Sequence, residues 1–442
     1  MLKTNSKEIK ENDIFIAIKG DKYDGHDYIE EAIKNGAVKI IAEKGSYSVE
    51  TEIVPSTKEY LKKYIEKYKE EIKDIHLIGM TGTNGKTTTC YLIYQALNRI
   101  GKKCAYIGTI GFYIDVKIKD LKNTTPGILE LYEMIIEAKN KGCSYVAMEV
   151  SSHSLAQERV YGLEFDVAII SNITQDHLDY HKTMEEYAKT KSKLFDMVKS
   201  NGYTIIPNEI DYKDYIYLAK NKNITYGENG DYILSDIIIE DSKTLFKLAN
   251  IQYETSLFGK YNIYNIINVI IILNQLNIGN IPEIIKGLTP PPGRMDMIDK
   301  GFKIIIDYAH TPDAVKNILM CVNEMATGNI FVIIGCGGNR DKTKRPIMAQ
   351  IATSYSAKAI FTSDNPRNEN ADDIINDMIR DLSNNNYEIE TNRKKAILKG
   401  IQKCQKGDIL LILGKGHENY QIIGNERIHF DDKEIVLEYF RR

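Results

Sequence analysis

Short runs of aliphatic and β-branched residues alternate along nearly the whole chain with longer stretches whose apolar positions recur every three or four residues. That alternation predicts parallel strands joined by crossover helices, an α/β architecture. Residues 13 to 42, DIFIAIKG…YIEEAIKNGAVKIIAE, read as strand, helix, strand, and a charged helical stretch, KEYLKKYIEKYKEEIKD, follows at 58 to 74. Together they predict a small N-terminal α/β domain over 1–75. From IHLIGM a larger unit runs through strands at YVAMEV (145 to 150), VAIISNI (167 to 173) and YTIIP (203 to 207). It closes at LTPPPGRMD, where consecutive prolines cannot continue a helix, giving bounds of 76–296. The last unit, 297–442, places strands at KIIIDYA, NIFVIIG, KAIFTSD and DILLILG with helices between them. This pattern reads as a Rossmann-like, doubly wound domain, in which ligands sit beyond the carboxyl ends of the strands.

Composition narrows the classes. A chain of 442 residues supports several cores, and a net charge of -3 gives no reason to expect nucleic acid or an anionic membrane as a partner. The start, MLKTNSKEIKEND, has no apolar run of the signal-peptide kind, and no stretch approaches the roughly 18 apolar residues of a spanning helix. The expectation is a cytoplasmic monomer. Six cysteines, Cys90, Cys104, Cys143, Cys321, Cys336 and Cys404, lie far apart without C-x-x-C spacing, which predicts mostly buried, reduced thiols.

The candidate chemistry begins where HLIGM runs into Gly82, Thr83, Asn84, Gly85, Lys86, Thr87 and Thr88, followed by a helical pattern that closes at Gly101. The usual phosphate-loop pattern needs a glycine five positions before Gly85, and Met80 stands there. The context is still that of a phosphate loop, a strand and a glycine turn opening a helix, so that amide groups and the helix dipole face an anion. Lys86 would neutralise the β and γ phosphates and Thr87 would offer a hydroxyl to magnesium. A tight turn capping a helix is the plain alternative. Glu149, at the end of a predicted strand, is placed to hold magnesium beside that loop, or else is a solvated strand end. NITQDHLDYH brings Asp176, His177 and His181. The two histidines have the i, i+4 spacing of a helical zinc pair without a third ligand at a suggestive distance, and His181 also reads as a surface helix end. In YAKTKSKLF, Lys189 and Lys193 form a solvated face. Lys191 shares a stripe with Tyr187, Ala188, Leu194 and Phe195, so it either snorkels outward or is carried inward, where burial would lower its pKa. Three loops of the last unit, GCGGNRDKTKRP, SDNPRNEN and GKGHENYQ, carry Arg340, Arg367, Lys415 and Glu418. They can line one pocket for a ligand bearing carboxylate and ammonium groups, or simply face water.

TGTNGKTTT, NTTPG, MEVSSHSL, NITQDHLDYH, GRMD, DYAHTPD, GGNRDKTKRP, DNPR and GKGHE occur in this order over about residues 76 to 430, and the combination resembles the Mur ligase family. More narrowly, it resembles the branch that adds the third residue of the peptidoglycan stem. There T-G-T-x-G-K-T is the normal loop. The resemblance implies three domains, the central one a P-loop-type ATPase domain with a mostly parallel sheet. It also implies ATP and Mg2+ as cofactors and ligation of meso-diaminopimelate to UDP-MurNAc-L-Ala-D-Glu through an acyl phosphate, in peptidoglycan precursor synthesis. Lys86, Glu149, His177 and Lys191 would be catalytic, with Lys191 carbamylated and Thr87, Glu149 and His177 serving the metal. Asn265, Arg294 and Asp307 would lie near the nucleotide. Ser6, Asn123, Thr124, Thr125, Ser151, Gln157 and Arg159 would hold the muramyl-dipeptide, and Arg340, Asp364, Asn365, Pro366, Arg367, Gly414 and Glu418 the diaminopimelate. DNPR is the form associated with diaminopimelate, because Arg367 can pair with the second carboxylate that lysine lacks. One segment departs from the family pattern: Lys7 stands where the uridine-contacting Asp-Ser-Arg segment has its arginine, which bears on contacts at Ser6 and around Asp21 to Tyr23. The alternatives are an amide ligase of the superfamily with another acidic acceptor or amino acid, of L-lysine, folylpolyglutamate or cyanophycin type, and a non-catalytic binding relative.

Overall fold

Strand His76–Thr81 lies inside an 11-stranded sheet, parallel to Phe165–Ile170 on one side and Tyr145–Glu149 on the other. These and the following observations come from a computed structural model that describes residues 1–20, 23–216, 222–240 and 243–441. Alternate residues of the strand enter different cores, as the two-residue period of a strand requires. Leu77 faces helix Ile128–Asn140, whereas Ile78 and Met80 face helices Lys86–Arg99 and Lys260–Gln275. Covering both faces is what makes these strands read as continuous apolar runs. Helix Lys86–Arg99 ends where the periodicity does, with Gly101 in the left-handed region at φ 75.

The N-terminal sheet has the order Leu2–Lys3, Asp13–Ile16, Ala37–Ala42, Glu50–Ile53, all parallel. Helix Thr57–Ile72 follows, opened by Ser56, whose hydroxyl accepts the Glu59 amide at 3.3 Å. Its apolar face, Leu61, Ile65 and Ile72, shares a core with Tyr132 and Ile135 of Ile128–Asn140. The first unit and one face of the central sheet are therefore packed as one body.

The C-terminal sheet orders six strands as Asp296–Asp299, Lys303–Asp307, Ile409–Leu413, Ile330–Ile334, Lys358–Phe361 and Tyr387–Ile389; the first is antiparallel and the rest parallel. Helices Pro312–Met325 and Lys344–Tyr355 cover one face, Arg393–Lys403 and Asp432–Tyr439 the other. Ile409–Leu413, Ile330–Ile334 and Lys358–Phe361 are neighbours, so the three cationic loops that follow them emerge side by side. Five cysteines are buried and Cys404 is partly so, and all six are free. Among the described residues no helix is long and apolar enough to cross a membrane.

Candidate active site

The glycines of the loop are required by close packing as well as by conformation. Gly82 has φ 146, and a Cβ there would lie 1.9 Å from the Ser171 hydroxyl; Gly85 has φ 88, and its Cβ would lie 2.5 Å from Asn265 Oδ1. The loop is laced to the end of the neighbouring strand. The Thr83 amide donates to Asn172 O at 2.9 Å, the Asn84 amide to Asn172 Oδ1 at 2.9 Å, and the Ser171 hydroxyl to Asn84 O at 2.6 Å. Thr87 and Thr88 open the helix behind it.

Two lysine side chains meet on one acceptor. Lys86 Nζ donates to the carbonyls of Gly82 at 2.8 Å and Thr83 at 2.9 Å, and Lys191 Nζ donates to the same Gly82 carbonyl at 2.7 Å. Lys191 is 1% exposed and lies over the Tyr187 ring at 4.3 Å. Burial, reinforced by the charge of Lys86, pushes its ammonium well below the ordinary lysine value. The outward, snorkelling alternative is thereby overturned, while Lys193 remains exposed and Lys189 partly so, as expected.

Glu149 is fully buried and is not a solvated strand end. Its Oε1 accepts the Tyr106 hydroxyl at 2.5 Å and the Thr109 amide at 2.8 Å, and its Oε2 accepts the Thr109 hydroxyl at 3.0 Å. The Asn123–Thr125 segment is tied to the same strand end. The Thr124 hydroxyl lies 3.1 Å from that of Thr109, and the Thr125 hydroxyl donates to Glu149 O at 2.8 Å. The Ser151 amide donates to Thr125 Oγ1 at 3.0 Å, Arg159 reaches Thr125 O at 3.0 Å, and Arg159 also bonds Gln157. Asn123 stands exposed beside them, so six of the seven residues expected to hold the acceptor lie together.

Ser6 lies apart from that cluster. It is buried in the N-terminal unit, and its hydroxyl is donated to Glu31 at 2.5 Å, which leaves it occupied within its own domain. Asp21 and Lys22 lie outside the described residues, and Tyr23 is exposed.

The histidine spacing did not give a helical pair. His177 takes a left-handed conformation, φ 54, ahead of the four-residue helix Leu178–His181, so its side chain leaves the helical register. His181 is buried rather than a surface helix end, with Nε2 3.0 Å from the Ser152 hydroxyl. Among the described residues no group of three or more His, Cys, Asp or Glu side chains has metal-binding geometry.

Beside the loop lies a cavity of 380 Å³ lined by Asn84, Gly85, Thr88, Asn265, Arg294 and Asp307 among others. Asn265 accepts the Thr89 hydroxyl at 3.1 Å. Arg294 reaches the Thr87 hydroxyl at 3.3 Å and stacks over Tyr308 at 4.6 Å. The Asp307 carboxylate receives the Met295 and Ala309 amides at 2.8 and 2.7 Å, and burial raises its pKa. The C-terminal domain meets the site at further points. Asn84 donates to Asp313 at 2.8 Å, Lys344 pairs with Asp176 at 3.9 Å, and His417 Nε2 lies 3.2 Å from Thr109 O.

The three cationic loops form one cluster. Arg367, with φ 53, donates to Gly338 O at 2.9 Å, and its guanidinium lies beside Arg340. Burial, then the charge of Arg340, pushes it below its ordinary value, which an anion beside it would offset. Asn365 donates to Glu418 at 2.9 Å, and Pro366 O approaches Gly338 so closely that a Cβ there would lie 1.8 Å away. Asp364 packs against Gly414, where a Cβ would lie 2.5 Å from Oδ2. Lys415 is not a free cation of this pocket: it is fully buried, and its ammonium is held by Asn365 at 3.4 Å and Glu418 at 3.3 Å. Tyr106, Thr109, Ser171, Asn172, Asp313, Lys344 and His417 were missed as site residues. Ser171, Asn172, Asp313, Lys344 and His417 lie in motifs or strand ends named above and so carried a signal, whereas Tyr106 and Thr109 did not.

A phosphate loop, a fixed carboxylate and a buried amine, faced by a second α/β domain with cationic loops, define an ATP-dependent amide ligase. Residues 80–273 match the Mur ligase middle domain, 293–416 the Mur ligase glutamate ligase domain and 1–81 the Mur ligase family catalytic domain. The chain belongs to the Mur ligase family. It is 38% identical over 456 residues to the UDP-N-acetylmuramoyl-L-alanyl-D-glutamate--2,6-diaminopimelate ligase of Bacillus cereus, covering 99% of this chain and 93% of that one. It is 40% identical over 461 residues to the ligase of the same name from Clostridium perfringens, covering 99% and 94%. A solved structure of a UDP-N-acetylmuramoyl-L-alanyl-D-glutamate--2,6-diaminopimelate ligase superposes with a TM-score of 0.65 at 31% identity, over 100% of this chain and 94% of that one.

Proposed function

We propose that this chain uses ATP to join meso-diaminopimelate to the D-glutamate carboxylate of UDP-MurNAc-L-Ala-D-Glu. The observation that carries the choice of amino acid is the pair Arg340 and Arg367, set in the same loop cluster as Glu418. Two guanidiniums and one carboxylate suit a ligand with two carboxylates and an ammonium group, whereas lysine would leave Arg367 unpaired.

A carboxylate is a poor acyl donor, so its oxygen first attacks the γ-phosphorus and ADP leaves. The amine of diaminopimelate then attacks the acyl carbon, its proton is lost and phosphate departs. Lys86, Gly82, Thr83, Asn84, Gly85, Thr87 and Thr88 cradle the phosphates, while Asn265, Arg294 and Asp307 line the nucleotide cavity. Asn123 to Thr125, Ser151, Gln157 and Arg159 position the acceptor. The buried, neutral Lys191 amine adds CO2: an N–C bond forms, one proton leaves, and an anionic carbamate results. Thr87, Glu149 and that carbamate would offer oxygen to Mg2+, with His177 reached through water; the ion needs few protein ligands because phosphate and water complete its shell. When bound, the ion would offset negative charge between γ-phosphate and acceptor.

Phosphate release tests this directly, with ATP, UDP-MurNAc-L-Ala-D-Glu and each of diaminopimelate, lysine and ornithine. Turnover should require the acceptor together with diaminopimelate. Arg367→Ala should lose about 100-fold in kcat/KM for diaminopimelate, the scale of one bidentate ion pair; unchanged kinetics in that variant would refute the assignment of the amino acid.

A further inference from the structure

The loop that carries Glu418 also reaches the other end of the site. His417 precedes Glu418, and its Nε2 lies 3.2 Å from the carbonyl oxygen of Thr109 in the central domain. A carbonyl can only accept, so Nε2 carries the proton, and Nδ1 is buried without a hydrogen-bond partner. Thr109 is the residue whose amide and hydroxyl hold the two oxygens of Glu149, at 2.8 and 3.0 Å. One peptide segment is therefore gripped from both sides, by Glu149 within the domain and by His417 across the domain boundary.

The seat of His417 is constrained. A Cβ on Gly293 would lie 2.1 Å from the His417 amide nitrogen, and one on Gly416 would lie 2.6 Å from Gly293 O, so the backbone of this loop rests directly on the segment that carries Arg294. The imidazole lies 5.3 Å from the Tyr308 ring, and the Tyr308 hydroxyl lies 3.5 Å from Glu418. Displacing Glu418 and its loop thus displaces His417 with it.

We propose that His417 is a positioning residue which, by holding the Thr109 carbonyl, aligns Glu149 only when the amino-acid loop is seated. This rests on the functional reading above, in which Glu149 serves the metal and Glu418 the incoming amino acid. It assigns the third domain a part in the phosphoryl-transfer half of the reaction, beyond supplying a pocket for the nucleophile.

The test compares His417→Gln, whose amide nitrogen can reach the Nε2 position, with His417→Asn, whose amide ends near Nδ1 and falls short. Full-length enzyme is assayed for phosphate release at varied Mg2+ and varied diaminopimelate, with thermal midpoints recorded. Wild-type turnover dependent on acceptor and diaminopimelate comes first; its absence would sink the functional reading itself. Given turnover, Asn should lower kcat about 10-fold and raise the half-saturating Mg2+ several-fold, leaving KM for diaminopimelate within about 2-fold. Gln should recover kcat to within about 3-fold of wild type. Equal Mg2+ dependence in Asn, Gln and wild type, or a change confined to KM for diaminopimelate, would overturn the proposal. A loss common to both variants that follows the thermal midpoint would overturn it equally, by showing a structural role only.

Discussion

Lys191 can be followed from a side-chain stripe to a chemical state. Its helix face, shared with Tyr187, Ala188, Leu194 and Phe195, carries the amine to the Gly82 carbonyl, where burial favours the neutral form that the proposed CO2 adduct requires. Lys191→Met should keep the fold and lose at least about 100-fold in kcat, since the proposed carbamate could not form. Isotopically labelled bicarbonate should give a carbamate resonance in the wild type and none in the variant; its persistence would move the adduct elsewhere. Lys191, Glu149 and the phosphate loop were legible because each sits within a local pattern of period or motif. Tyr106, and the contact made by His417 of GKGHE, were not. Tyr106 reads as one more apolar strand position, and its partner Glu149 lies 43 residues on; His417 reads as a loop polar group, and its partner Thr109 is 308 residues away.

At the scale of elements, the strand and helix pattern transferred well because both faces of each main sheet are covered, leaving continuous apolar strands and amphipathic helices. The short helix Leu178–His181 escaped, since one left-handed residue, His177, reset the register that spacing alone assumes. The cationic loops of the third domain are joined by a device the sequence does not announce. Arg345, 1% exposed, forks onto both oxygens of Glu369 at 3.0 Å and reaches Asp377 at 2.8 Å. Glu369 also accepts the Asn339 amide, next to Arg340. These donors, Arg345 foremost, hold the Glu369 carboxyl below its ordinary value of 4.5 at about 2. A depressed carboxylate stabilises the fold above its unfolded pKa and loses that contribution as pH falls through the folded value. Acid unfolding of the third domain should accordingly steepen below pH 4.5 and towards 2. Glu369→Gln should flatten that limb and cost on the order of 2 kcal/mol at neutral pH, read by chemical denaturation across pH.

Across the whole molecule, the central domain is bound differently to its two neighbours. The third domain meets it through polar contacts, among them Asn84 with Asp313, Asp176 with Lys344 and Thr109 with His417, and through Phe258 and Tyr261, which pack against its apolar cluster. Asp313→Ala should raise KM for ATP about 10-fold, the worth of one charge-assisted hydrogen bond, with little change in thermal stability; steady-state kinetics and calorimetry check the two halves. The first unit shares a continuous apolar core with the central sheet, through Leu61, Ile65 and Ile72 against Tyr132 and Ile135. Cooperativity follows the core and not the sequence boundary, so residues on both sides of position 75 should lose their slow-exchanging amides together. The third domain, with its own clusters around Ile305 and Ile304, has the makings of a separate foldon, so the part of the molecule that carries the cationic loops is also the part that can open without taking the rest with it.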